Sequence, residues 1–179
     1  MKEDKIETII FGGGCFWCTE GVFRMFKGVS SIESGYAGGD TENPTYDDIC
    51  RGDTNHAEVV KVEYNPDLIK LETLLEVFFA SHNPTTLNRQ GNDVGTQYRS
   101  IVFYFNQDQK IIINNFIEKI KPDFLDNIVT EVVEYSNFYK AEDYHQKYYE
   151  NNTNAPYCQI VIDPKIEKIR KKYSDLLRD

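Results

Sequence analysis

Residues 12–20 read GGGCFWCTE, placing two cysteines three apart, two large aromatics between them and three glycines in front. Thiols at that spacing can exchange disulfides, supply half of a zinc site, or act as a nucleophile and its neighbour. Cys15 would follow a strand and open a helix, where free backbone N–H groups and the helix dipole favour an anion. A thiolate is such an anion, so the position predicts a depressed thiol pKa. The glycines allow a tight turn and the close approach of a ligand. Cys18, one helical turn on, would have its Cα about 5 Å away, within bridging range.

Zinc would need two further ligands. Cys50 and Cys158 are single and far apart, no second CxxC follows, and His56, His82 and His145 are scattered. A phosphate loop is excluded, since neither Gly-Lys-Ser/Thr nor G-x-G-x-x-G is present. Phe16 and Trp17 are core anchors or, if the thiol opens on a pocket, its apolar wall, suited to a methyl group or thioether. Glu58 closes NHAE and begins an alternating segment shared with Val60, Val62 and Tyr64. A carboxyl at the end of an apolar face is partly desolvated, which raises its pKa and fits it for acid work. A solvated strand-end glutamate is the competing reading. Tyr46 in NPTY, and Asp93 and Tyr98 in GNDVGTQY, lie on two long polar loops, where each alone reads as structural.

The elements that must position these groups follow from patterning. Short apolar or alternating runs predict strands at 6–11, 29–36, 58–64, 101–105, 130–135 and 157–162, the 101–105 run being central. Helical spacing predicts helices from Cys15 to Gly28 and at 71–80, 107–120, 141–150 and 166–177, with Pro164 as a first helical residue of the last. Strands and helices intermix in a single domain spanning 1–179, an α+β arrangement with helices packed on a central sheet. The irregular segment 37–57 and the loop 82–99 are where a site is expected.

Composition narrows the class. The 179 residues carry a net charge of −9, which argues against general nucleic-acid binding and attachment to anionic membranes. No apolar run reaches membrane-spanning length, and MKEDKIETII has no signal-type segment, so a cytoplasmic location is expected. There, four cysteines are read as catalytic or buried rather than as a disulfide framework. Cys50 is expected to be a buried structural thiol.

The motifs GGCFWC, SGYAGG, NPTY, GDTxHAE, NRQGNDVGTQYRS and AEDYHQ, in that order from residue 11 to about 149, closely resemble the A-type peptide methionine-sulfoxide reductases. The resemblance implies a two-layer α/β sandwich around a mixed sheet, ferredoxin-like at its core. It implies Cys15 as nucleophile, Phe16 and Trp17 as the wall around the substrate methyl, and Glu58 as the acid that protonates the sulfoxide oxygen. Tyr46 and Tyr98 are implied to hold that oxygen, with Asp93 in the same pocket. It further implies the S epimer as substrate, oxidised proteins as partners, no bound cofactor, and an external dithiol, thioredoxin, as reductant.

Two departures stand out. Asn55 replaces the usual glycine before His-Ala-Glu, and no Gly-rich tail with two recycling cysteines follows residue 158. For the thiol that resolves the oxidised Cys15, Cys158 has alignment in its favour and Cys18 proximity, with Cys158 slightly ahead. Without the resemblance, a thiol–disulfide oxidoreductase using Cys15 and Cys18 and a zinc-stabilised binding module are the rival readings.

Overall fold

The computed structural model describes residues 5–179; residues 1–4, part of the segment read as lacking a signal, lie outside the described residues. The chain runs β1 (Glu7–Gly12), α1 (Phe16–Phe23), β2 (Val29–Ala37), α2 (Tyr46–Arg51), β3 (Ala57–Tyr64), α3 (Leu71–Ser81), β4 (Arg89–Gln90) and β5 (Asp93–Val94). It continues through β6 (Ile101–Tyr104), α4 (Gln107–Ile120), β7 (Glu131–Glu134), β8 (Tyr139–Lys140), α5 (Tyr148–Asn151) and α6 (Asp163–Lys172). Six strands form one mixed sheet in the order β7-β6-β1-β3-β2-β8, parallel only between β6 and β7. β4 and β5 form a separate small hairpin.

Alternation along the strands divides the interior. Ile9, Phe11, Val60, Val62 and Val102 join the side chains of α1, α3, α4 and α6 in the larger core. Ile10, Val59, Ile101 and Phe103 face the other way, into a small cluster closed by Phe138. The helix-side layer is therefore the main source of burial, and its aromatic stack of Phe23, Phe11 and Phe78 pins α1 and α3 to the sheet.

Register explains where a site can form. Phe11 pairs with Val60, Gly12 with Ile101, and Ala37 with Ala57. The end of β1, the starts of β3 and β6, and the end of β2 thus meet at one margin of the sheet. The GGG turn, Glu58 and the loop carrying Tyr98 are brought together there.

The sequence expectation of mixed strands and helices around a central sheet holds, and β6 is interior. Several elements differ. The 157–162 run is helical, with a π-helical turn at Cys158–Ile162 leading into α6. Its buried members, Cys158 and Ile162, are four apart while Ile160 is exposed, and both sheet edges are already taken by β7 and β8. Pro164, which cannot donate to the carbonyl four residues back, sits just past that widened turn.

The predicted 141–150 helix breaks into a 3₁₀ turn, Asp143–His145, and the short α5. Gln146 is drawn to β2, accepting from Ser34 N at 3.0 Å and donating to Ser34 O at 2.9 Å, and Lys147 then adopts φ +53°. Helix α1 stops at Phe23, and turns carry the chain on to Gly28. Within 37–57 a helix forms that the composition hid. Thr45 and Asp48 make a reciprocal capping box at the start of α2. Cys50, on that helix's last turn, is exposed rather than buried.

Candidate active site

The nucleophile's position is set by main-chain geometry. Gly14 takes φ +82°, and a Cβ there would lie 2.7 Å from Gln90 Cγ, so a side chain is disfavoured twice over. Its N–H donates to Tyr98 O at 3.1 Å, tying the turn to the second long loop. Cys15 is the N-cap of α1, with extended backbone. The first helical N–H, that of Phe16, donates not to a sulfur but to Glu58 Oε2 at 3.2 Å.

Glu58 is 2 % exposed. Burial pushes its carboxyl up to about 8, helped by the charge of Asp93 and opposed by the Phe16 N–H. The acid is therefore mostly protonated at neutral pH, as the strand pattern had allowed. The Cys15 thiol does not follow the expected depression. Burial, then the charge of Glu58, then Cys18, raise its pKa well above the usual value, against the Trp17 N–H and the Tyr157 hydroxyl. The helix-start argument fails because the half-buried sulfur sits among packed protein groups and part of the N-terminal donor field is spent on Glu58.

A cavity of about 150 Å³ is lined by Cys15, Phe16, Trp17, Tyr46, Glu58, Asp93, Tyr98 and Tyr157. Every residue expected in the pocket is present in that lining, and Tyr157 is added. The Tyr157 hydroxyl donates to Asp93 Oδ2 at 3.2 Å and lies 3.9 Å from Cys18 Sγ. Burial keeps all three pocket tyrosines protonated. The Cys50 thiol adds to this at Tyr46, Glu58 and Asp93 at Tyr98, and the cysteines at Tyr157. Neither Cys18, 4 % exposed, nor Cys158, 0 % exposed, lines the cavity.

Behind the aromatic wall lies a second set of residues that patterning did not single out. Trp17 Nε1 donates to His145 Nδ1 at 2.9 Å, and the Trp17 ring stacks on Tyr148 at 3.6 Å between centroids. His145 is fully buried against Phe16 and Tyr46, and burial lowers its pKa despite the Glu142 carboxylate 4.0 Å from Nε2. The imidazole is thus neutral, with Nδ1 the acceptor. Glu142 accepts from Tyr36 Oη and from Tyr46 N, both at 3.1 Å. AEDYHQ carried this set in the sequence, but nothing in its spacing gave the residues a task. Asn55 is accommodated: it sits at φ +59°, a conformation asparagine tolerates, and donates to Asp40 Oδ2 at 2.6 Å. Among the described residues no group of three or more His, Cys, Asp or Glu is placed to hold a metal.

A thiol, a protonated carboxyl and phenol hydroxyls converging on a small aromatic pocket define a site for thiol chemistry on an oxygen-bearing group. The family model described as peptide methionine sulfoxide reductase matches residues 7–177, and the chain belongs to that family. It is 52 % identical over 174 residues to the peptide methionine sulfoxide reductase MsrA of Acinetobacter baumannii (strain SDF), covering 97 % of this chain and 99 % of that one. Among solved structures, Mxr1 from Saccharomyces cerevisiae in reduced form superposes with a TM-score of 0.82 at 37 % identity, over 86 % of this chain and 90 % of that one. Mxr1 in complex with Trx2 matches with a TM-score of 0.59 at 29 % identity, over 83 % and 89 %.

Proposed function

We propose that the protein reduces the S epimer of methionine sulfoxide, in oxidised proteins and as the free amino acid, to methionine. The observation that carries this is Glu58: a buried carboxyl, pushed up to about 8, facing the same small pocket as the Cys15 thiol. A sulfoxide sulfur becomes electrophilic when its oxygen is protonated. Glu58 donates that proton while Tyr46 and Tyr98 hold the oxygen. Phe16 and Trp17 enclose the methyl group, and Asp93, through Tyr157, shapes the opposite wall.

The Cys15 sulfur, losing its proton, forms a bond to the substrate sulfur. The S–O oxygen is then transferred, methionine leaves, and Cys15 becomes a sulfenic acid. Sulfoxide plus thiol gives sulfide plus sulfenic acid, two electrons passing from Cys15 to the substrate. The Cys15 proton balances the one Glu58 gives.

Cys18 resolves the sulfenic acid in this reading. Its N–H donates to Cys15 O at 3.1 Å, so the two Cα atoms are one turn, about 5 Å, apart. Cys158, fully buried in a helical turn, does not line the cavity. Sulfenic acid and thiol give a disulfide and water, and a dithiol of the thioredoxin kind restores both thiols. The likeness to Mxr1 solved with Trx2 supports that reductant. Four free cysteines fit a reducing compartment, and the cytoplasm is the one proposed. The β1-α1-β2-β3-α3-β6 succession with strand order β6-β1-β3-β2 supports a ferredoxin-like core.

The test is reduction of a sulfoxide-containing peptide with dithiothreitol. Methionine should form from the S epimer and not with Cys15→Ser; no turnover of free or peptide-bound sulfoxide would overturn the reading. Mass mapping after one turnover without reductant should find a Cys15–Cys18 bridge. A Cys15–Cys158 bridge or a persistent sulfenic acid would reject Cys18 as the resolving thiol.

A further inference from the structure

The reactive cavity, about 150 Å³, is well below the several hundred Å³ of a site that encloses a whole small ligand. On the reading above it admits the end of one side chain, and the rest of a polypeptide substrate must lie on the rim. One exposed residue, a single contact away from the pocket wall through His145 and Glu142, has the properties of a prepared contact surface. Tyr144 is 61 % exposed, yet its ring lies over His145 at 4.1 Å between centroids and its hydroxyl donates to Glu142 Oε2 at 3.2 Å.

That same carboxylate oxygen accepts from the backbone N–H of Tyr46, whose side chain lines the cavity. Glu142 therefore ties an exposed ring to the pocket wall. Residues of α2 continue the surface, with Asp47 and Cys50 exposed beside Tyr46. Exposed aromatics ordinarily lose rotamer freedom when they bind. A ring already held at both face and hydroxyl has less to lose, and an aromatic face accepts the edge of a peptide group or an apolar side chain.

We propose that Tyr144 is a specificity-determining residue of this site: a pre-ordered shelf on which the residues flanking methionine sulfoxide in an unfolded or exposed polypeptide lie. This inference rests on the sulfoxide-reductase reading, and its occupant is the substrate's own chain, because Glu142 hydrogen-bonds both Tyr144 and the backbone of the pocket residue Tyr46. Free methionine sulfoxide and dimethyl sulfoxide, which fill the cavity without reaching the rim, do not use it.

The experiment compares Tyr144→Ala and Tyr144→Phe with the unmodified protein on dimethyl sulfoxide and on a seven-residue peptide with a central methionine S-sulfoxide, using dithiothreitol. The peptide kcat/KM should fall about fivefold to tenfold with Tyr144→Ala, through KM, the scale of one aromatic contact. The dimethyl sulfoxide value should stay within about twofold, which also reports that the fold and pocket are intact. Tyr144→Phe, which keeps the ring, should retain most of the peptide KM. An equal loss on both substrates would make Tyr144 a structural support of Glu142 and His145 and would overturn the shelf. An unchanged peptide KM with Tyr144→Ala would overturn it too. Failure of the unmodified protein to reduce either substrate would instead remove the function on which the inference rests.

Discussion

The pocket has two walls built on different principles. One wall, with Cys15, Phe16 and Glu58, hangs on the ends of β1 and β3, whose antiparallel register leaves little freedom. The other, carried by Tyr157 with the 145–151 segment behind it, runs through short turns and is held by side chains: Trp17 to His145, Gln146 to Ser34, Tyr157 to Asp93. On the proposed mechanism the reacting atoms belong to the sheet-borne wall, while the second wall steadies what the first presents. Main-chain pairing places a nucleophile and an acid with the tolerance that bond-making requires. Side-chain tethers suffice for a surface that only has to fit a substrate.

The largest effect should come from the first wall. Glu58→Gln should slow sulfoxide reduction about 10²- to 10⁴-fold, the usual range for losing a positioned acid, while Cys15 stays open to alkylation. In the unmodified protein kcat/KM should fall as pH rises through about 8, where Glu58 loses its proton, and Glu58→Gln should erase that limb. Stability shares the sign. A carboxyl whose folded pKa exceeds its unfolded value binds more protons when folded. Its contribution is therefore complete below about 4.5 and lost progressively up to about 8, a change on the order of a few kcal/mol. Urea titrations at pH 5 and pH 9 on both forms measure it, and an unchanged difference would contradict the assigned protonation.

A smaller effect is expected from the second wall. His145→Ala removes the acceptor of Trp17 Nε1 and should raise the sulfoxide KM about threefold to tenfold, with kcat less affected. Trp17 is the protein's single tryptophan, so a shift in its fluorescence should accompany the change. A collapse of kcat with KM preserved would break the division of labour between the walls. The smallest effect belongs to the support of Tyr46. Thr45→Ala removes the α2 cap and should cost about 1 kcal/mol in urea unfolding.

The same division decided what was legible beforehand. Strand alternation, the glycine turn and a helix start are local signals, and they placed β1, β3, α3 and α4 and set Glu58 on an apolar face. They did not place Tyr157, because a short run such as YCQIVI satisfies a strand pattern as readily as one side of a helix. The choice was made at long range, by filled sheet edges and the core beneath α6. Gln146 broke the 141–150 helix through β2, more than a hundred residues away in sequence. The sense of the Cys15 shift departs from the local pattern for a related reason. A helix start is visible in sequence, but the carboxyl that takes its first N–H comes from another strand.

The raised pKa of Cys15 bears on survival as well as turnover. Peroxide attacks thiolates far more readily than thiols, so a sulfur kept protonated while the pocket is empty is a poor target for the oxidants that create sulfoxides. On the proposed mechanism, activation is deferred to the moment a substrate oxygen arrives to take the Glu58 proton, leaving a carboxylate that can receive the thiol's own. On the proposed mechanism, the surroundings that keep the acid protonated also keep the thiol out of reach of the chemistry that makes its substrate.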